Sequence, residues 1–199
     1  MTRLGWGILA GLVLFVAAFV AMTRFGTADP SARRVTAAAS APEPAAKAPA
    51  QIGRLTVPVA GIARSTIMDS WNDPREGGSR GHHGTDIPAP AGTPVLAAAA
   101  GRVEKLFQSG RGGTTLYIRS PDRRWVYYYA HLAGYAPGIA VGQPVRAGQT
   151  IAYVGDTGDA GAGNYHLHFG MQRMGAGDRW YQGQDVNPFP MLAGSAPAR

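Results

Sequence analysis

Glycine and proline interrupt the chain at short intervals from Leu55 onward, which restricts this part to short extended segments. Between the interruptions lie runs rich in β-branched and aromatic residues, and none sustains helical spacing for three turns. The pattern predicts an all-β domain, built as a compact antiparallel β-roll or sandwich, over residues 55–199. The predicted strands are Thr56–Val59, Ser65–Asp69, Pro94–Ala98, Arg102–Phe107, Thr114–Arg119, Trp125–Leu132, Thr150–Val154 and His166–Gln172.

The N-terminal segment has a different composition. Leu4–Met22 contains no charged residue and is bounded by Arg3 and Arg24. Its length matches the roughly 20 residues that a helix needs to cross a bilayer. The alternative is a cleaved signal peptide, whose apolar stretch is usually about 7 to 15 residues long. The longer run predicts that residues 1–25 form an uncleaved transmembrane signal anchor.

Residues 26–54 separate this anchor from the β-domain. They are rich in Ala, Pro, Ser and Thr and show no apolar periodicity, so they cannot bury enough surface to fold. We expect a disordered Ala/Pro-rich linker that holds the domain away from the membrane.

Charge and cysteine content exclude several classes of protein. The chain has no cysteine, so disulfides, thiolate metal sites and cysteine nucleophiles are ruled out. The net charge is +7, but the β-domain contains no run of Lys and Arg. Its mild basic excess fits an acidic polymer such as a cell wall at least as well as nucleic acid. The charge by itself excludes little, but we predict no nucleic-acid partner.

All five histidines fall in three short segments, which are Arg80–Asp86, Tyr129–Leu132 and Tyr165–Phe169. In an extended strand, side chains two and four positions apart share a face, so His166 projects with His168, and His82 with Asp86. Zinc takes about four ligands, and imidazole and carboxylate supply them without cysteine. If the protein fills three positions, water takes the fourth, which is the catalytic pattern. His83 competes for the ligand role, but it points away from Asp86 in an extended segment.

The three segments together resemble the motif set of the lysostaphin/LytM-type zinc metallopeptidases. The matching motifs are RGHHGTD at Arg80–Asp86, YAHL at Tyr129–Leu132 and HLHF at His166–Phe169, in the same order as in that family. The resemblance covers about Val57 to Pro188 and includes Gly92–Val95. It implies a small antiparallel β-structure with an open groove.

The resemblance also implies a division of roles. His82, Asp86 and His168 would bind one zinc ion per chain, and His131 and His166 would line the groove as catalytic residues. Hydrolysis would use a zinc-activated water, with the two other histidines handling protons and the oxyanion. How these tasks divide between His131 and His166 stays open.

The family further implies the substrate and the compartment. We expect an endopeptidase that cuts peptide cross-links or stems of peptidoglycan, anchored by a single-pass helix in the inner membrane with the catalytic domain in the periplasm. The bond that is cut and any regulatory protein partners stay open. The alternative is a non-catalytic LytM-type scaffold that binds cell wall and activates an amidase, a role associated with relatives that lack metal-site residues.

Overall fold

The computed structural model describes residues 54–194, which form a mostly β structure. Two short 3-10 turns lie at Arg64–Thr66 and Glu76–Gly78, and the helix α1 spans Phe189–Ala193. The strands, numbered β1 to β11 in chain order, are Pro74–Arg75, Arg80–Gly81, Thr85–Pro88, Pro94–Leu96, Gly101–Ser109, Gly113–Arg119, Trp125–Tyr135, Pro144–Val145, Thr150–Val154, His166–Arg173 and Gln184–Asp185.

Nine of these strands form one antiparallel sheet with the path β11-β10-β7-β6-β5-β8. Strand β3 pairs with the first half of β10, on the edge where β11 pairs with its second half. Strand β9 pairs with both β4 and the end of β7, which extends the sheet beyond that path. Strands β7 and β10 are central, because each has neighbours on both edges.

The core is built from β-branched, leucine and aromatic side chains of the central strands. Tyr129, Phe169 and Leu116 are fully buried, and the rings of Tyr129 and Phe169 pack with centroids 5.3 Å apart. The hydroxyl of Tyr129 accepts a hydrogen bond from the backbone N–H of Ala98. This polar partner allows the ring to be buried completely.

A short two-stranded sheet, β1 with β2, stands apart from the main sheet. It belongs to a hairpin that we call the wall segment, residues 71–81, whose base is closed by hydrogen bonds between the backbones of Asn72, Asp73 and His82. Asn72, Glu76, Gly77 and Gly78 all have positive φ in this hairpin. Two of these residues are not glycine, and such conformations cost free energy that tertiary contacts must offset.

Six of the eight predicted strands are confirmed, with ends shifted by a few residues. The prediction for Thr56–Val59 is wrong, because only an isolated bridge joins Val59 to Val95. Pro58 and Pro94 accept hydrogen bonds from Leu96 and Ala60 but have no N–H to donate in return, so a regular ladder cannot form.

The prediction for Ser65–Asp69 is also wrong. Its first residues belong to the 3-10 turn at Arg64–Thr66, where Thr66 donates its N–H and its hydroxyl to the Ala63 carbonyl. Ile67 is the only hydrophobic residue of this segment in the core, so no strand-like alternation anchors it to the sheet.

Two other predictions lie outside the described residues. These are the anchor at residues 1–25 and nearly all of the linker at residues 26–54. Within residues 54–194, no helix combines the length and the hydropathy needed to span a membrane.

Candidate metallopeptidase site

The pairing of three strands brings the three histidine motifs together. On one edge of β10, His168 lies opposite Asp86 of β3, and on the other edge it lies opposite Ala130 of β7. His131 follows Ala130 directly, and His166 shares the face of His168 two residues earlier. The strand register therefore places side chains from distant parts of the sequence at one level of the sheet. We call this surface of β3, β7 and β10 the floor.

Three candidate metal ligands converge on one point at the edge of the floor. His82 Nε2 lies 2.8 Å from His168 Nδ1 and 3.1 Å from Asp86 Oδ1, and His168 Nδ1 lies 3.0 Å from the same oxygen. Tetrahedral zinc sites with bonds of about 2.0–2.2 Å have neighbouring ligand atoms about 3.3 Å apart. The spacing of the three atoms is close to that value, so they can hold one metal ion.

Backbone contacts fix the orientation of the His82 ring. Its Nδ1 lies 2.7 Å from the carbonyl oxygen of Ser70, which can only accept, so in the neutral ring the proton is on Nδ1. Nε2 then presents a lone pair to the Asp86 carboxylate, and two such acceptors 3.1 Å apart repel unless a cation lies between them. The Ser70 hydroxyl also accepts a hydrogen bond from the N–H of Asp86. Ser70 thus supports two of the three ligands.

The Asp86 carboxylate divides its oxygens between two tasks. Oδ1 faces the histidine nitrogens, and Oδ2 lies 2.5 Å from Nη2 of Arg75. Burial raises the pKa of this carboxyl, but its close contacts with His168 and His82 outweigh burial and hold the pKa below its ordinary value. Burial lowers the pKa of His168 despite the opposing effect of Asp86. Ionised carboxylate and neutral imidazole are the forms that bind metal.

His131 and His166 lie beside this cluster. Their ring centroids are 4.8 Å apart, and His166 Nε2 is 3.8 Å from Asp86 Oδ1. In each ring Nδ1 contacts a backbone carbonyl oxygen, that of Thr157 at 2.7 Å and that of Asn164 at 2.8 Å. Nε2 is therefore left for chemistry in the groove. Burial lowers the pKa of His131, which favours a neutral ring.

The backbone at His131 has an unusual conformation. Its φ is +60°, and the pairing of β7 with its neighbours shifts register on either side of this residue. A non-glycine residue rarely adopts this conformation, and bulges of this kind re-aim side chains next to active sites. The irregularity directs His131 towards the groove and separates it from the regular alternation of the strand.

Gly84 leaves room for the His168 ring. A Cβ atom at this position would lie 2.6 Å from His168 Cε1 and 2.8 Å from the carbonyl oxygen of Phe169. His83, the competing ligand candidate, contacts Asp185 with Nδ1 at 2.8 Å and does not belong to the metal cluster. The cluster contains His82, which the period-two argument favoured, although residues 82–84 lie between β2 and β3 and not in a strand.

The three cluster residues line an open groove of about 580 Å³, together with His131 and His166. Tyr128 and Asp159 also line it, together with arginines from the wall segment and from the loop before β6. The residues that orient the histidines could not be identified from the sequence, because Ser70, Thr157 and Asn164 contact the rings with their backbone carbonyls. The contact between Arg75 and Asp86 depends on the wall segment, whose path the sequence did not predict.

A groove on an antiparallel sheet, with a His-Asp-His cluster that could hold a metal ion and two more histidines beside it, is the arrangement expected of a metal-dependent hydrolase. The sequence model of peptidase family M23 matches residues 80–188, which contain all three motifs. The chain belongs to this family, as its resemblance to lysostaphin/LytM-type enzymes indicated. Most family members are zinc metallo-endopeptidases, and some relatives are not catalytic.

Three comparisons show the range of these relatives. The chain is 39% identical over 133 residues to the L-Ala–D-Glu endopeptidase of Bacillus subtilis, covering 64% of this chain and 39% of the relative. It is 31% identical over 136 residues to the murein hydrolase activator NlpD of Escherichia coli, covering 64% of this chain and 32% of the relative. The catalytic domain of lysostaphin from Staphylococcus simulans superimposes with a TM-score of 0.53 at 28% identity, covering 65% of this chain and 94% of that domain.

The chain thus spans less than two fifths of the length of either curated relative. The described fold is mostly β and agrees with that of the lysostaphin domain, so it differs from the predicted all-β class in having the short helix α1.

Proposed function

We propose that this protein is a zinc-dependent endopeptidase that hydrolyses peptide bonds in the cross-links or stem peptides of peptidoglycan. The convergence of His82, Asp86 and His168 within 2.8–3.1 Å, with two further histidines beside them, carries the proposal. Membership of family M23 and similarity to an L-Ala–D-Glu endopeptidase support the substrate class.

The chain's own residues provide the remaining parts of such a reaction. A zinc ion held by the cluster would supply Lewis acidity and a water of lowered pKa. His131 and His166 present Nε2 towards the same space, where one can accept a proton and the other can donate a hydrogen bond to a developing oxyanion. Their contacts with backbone carbonyls fix both rings before substrate binds.

The alternative function is a scaffold that binds cell wall and activates an amidase. Similarity to the activator NlpD is the observation that favours it. An activator needs no converging ligand set and no oriented catalytic histidines, whereas this chain keeps both. We therefore place the enzyme first and the scaffold second.

We further propose that the domain works outside the cytoplasm, in the periplasm, on the end of a membrane anchor. Peptidoglycan lies in that compartment, and the uncharged run Leu4–Met22 has the length of a membrane span. The linker at residues 26–54 would let the domain reach the wall.

Digestion of purified sacculi by the full chain in detergent tests the enzymatic proposal. We expect soluble muropeptide fragments, identified by mass spectrometry, whose release stops with a chelator and returns with added zinc. Sacculi that stay intact in the presence of zinc, while an added amidase becomes more active, would favour the scaffold.

A further inference from the structure

Two arginines of the groove share a single carboxylate. Arg80 Nη2 lies 3.4 Å and Arg111 Nη2 lies 3.2 Å from the same atom, Oε1 of Glu76. The third groove arginine, Arg75, is held separately by Asp86. The cluster of Arg80, Arg111 and Glu76 therefore has two guanidinium groups for one carboxylate, and we call it the arginine cluster.

The wall segment places Arg80 of this cluster opposite another arginine. In the pairing of β1 with β2, Arg75 lies directly opposite Arg80. Like charges in that position destabilise a strand pair, so the arrangement is not explained by folding alone. Arg80 Nε is buried and has no hydrogen-bond acceptor among residues 54–194, so the hydrogen-bonding capacity of this guanidinium group is not fully used.

The other side of the cluster comes from a different part of the fold. Arg111 lies in the connection between β5 and β6, so Glu76 joins the wall segment to a separate element that also lines the groove. The side chains of Arg111 and Glu76 are 64% and 44% exposed, and exposed ion pairs contribute little to stability. Glu76 can therefore leave the arginines at little cost. Asp159 also lines the groove but forms no ion pair within the described part of the chain.

We propose that the arginine cluster binds a free carboxylate of the peptide substrate, and that Glu76 takes the place of this carboxylate in the ligand-free protein. Guanidinium groups form paired, charge-assisted hydrogen bonds with carboxylates, and two of them from different elements of the fold can clamp one such group. This inference rests on the proposed function and narrows it. The preferred substrate is an acidic stem peptide and not a glycine bridge, which carries no carboxylate in its interior.

Two synthetic peptides that differ only at the α-carboxyl groups of their glutamate residues test the inference. Both are cross-linked stem-peptide dimers, one with a free α-carboxylate on its glutamate residues and one with that group amidated. With the zinc-loaded full chain we expect kcat/KM to be about 10- to 100-fold higher for the free carboxylate, as for other hydrogen bonds to charged groups. The inference is overturned if kcat/KM is equal for the two peptides or higher for the amidated one. It is also overturned if a pentaglycine peptide is cleaved in preference to both.

Substitutions in the arginine cluster test whether the preference for the free carboxylate depends on it. Arg80→Gln and Arg111→Gln should each bring the ratio of the two kcat/KM values towards one, and Glu76→Gln should lower KM for the free-carboxylate peptide. Arg146→Gln, in an exposed turn outside the groove, is the matched control and should keep the wild-type ratio. An unchanged ratio in both cluster variants, with zinc content and melting temperature preserved, would overturn the assignment.

A binding measurement separates this inference from the proposed function. Calorimetry with the same two peptides needs no turnover, and we expect tighter binding of the free-carboxylate form. If neither peptide nor sacculi are cut but this preference remains, the enzymatic proposal fails and the carboxylate site stands. If peptides are cut but binding shows no preference, the enzyme stands and the carboxylate site fails.

Discussion

The floor and the wall segment form two sides of one groove but are built in opposite ways. On the floor, the pairing of β10 with β3 and β7 places Asp86, His166 and His168, and a register irregularity in β7 aims His131. The wall segment has two strands of two residues each and a turn with successive positive φ values. Stable pairing suits side chains that must meet a metal with little error, whereas a short hairpin suits side chains that contact variable substrates. We therefore assign chemistry to the floor and substrate selection to the wall segment.

The largest effect should come from removing a metal ligand on the floor. His168→Ala should lose bound zinc and lower sacculus digestion by at least about 1,000-fold, because the reaction then lacks its Lewis acid. Zinc content by elemental analysis and fragment release are the measurements. His83→Ala is the control and should keep one zinc per chain, since His83 pairs with Asp185 outside the cluster. Full zinc content in the His168 variant would contradict the ligand assignment.

The second-largest effect should distinguish the catalytic histidines of the floor from its metal ligands. His131→Ala and His166→Ala should each reduce kcat by about 100- to 10,000-fold, the usual contribution of general acid–base groups. Zinc content should not change, because neither ring belongs to the three-residue cluster. If either variant loses its zinc, that histidine is a metal ligand and the acid–base role proposed for it is wrong.

A smaller effect should appear where the wall segment touches the floor. Arg75→Ala should weaken zinc binding by about 10- to 100-fold, because Asp86 loses the partner that orients its second oxygen. Competition with a chromogenic chelator measures this affinity. Arg75→Lys keeps the charge and should recover part of the loss. Wild-type affinity in the alanine variant would show that the floor holds zinc without help from the wall segment.

These expectations also show which parts were predictable from sequence. Of the floor strands, β7 and β10 were predicted and β3 was not; alternation along β10 puts His166 and His168 on one face. The wall segment was not predicted, because its strands are too short to leave a pattern and Glu76 adopts a backbone conformation that favours glycine. The side chains that form ion pairs with the wall segment from outside it, Asp86 and Arg111, lie on other elements of the fold.

The same limit applies to the contacts that orient the histidines. The carbonyls of Ser70, Thr157 and Asn164 are backbone groups that every residue carries. Their positions depend on the folded loops, so residue identity gave no indication of them.

The smallest predicted effect concerns the metal-free protein and pH. Burial lowers the pKa of His131 and of His168, so the unfolded chain binds more protons just below about pH 6.5. The free energy of unfolding should therefore fall as pH drops through this region, by at most about 1.4 kcal/mol per pH unit for each proton. Urea unfolding of chelator-treated protein between pH 5 and pH 7.5 measures the slope.

A matched variant identifies the source of that slope. His131→Gln with His168→Gln should flatten it, since neither glutamine titrates. The lowered pKa of Asp86 acts in a separate range, because its contribution is lost only as pH falls below about 3.8. Stability that rises as pH falls from 6.5 would contradict the assignment.

The most direct test of the account is zinc K-edge X-ray absorption of the full chain after titration with zinc. We predict one zinc per chain, bound by two imidazole nitrogens and two oxygens at about 2.0–2.1 Å, one from Asp86 and one from water. Four protein ligands around the ion, or zinc bound away from His82, Asp86 and His168, would contradict the claim that this groove is a hydrolytic site.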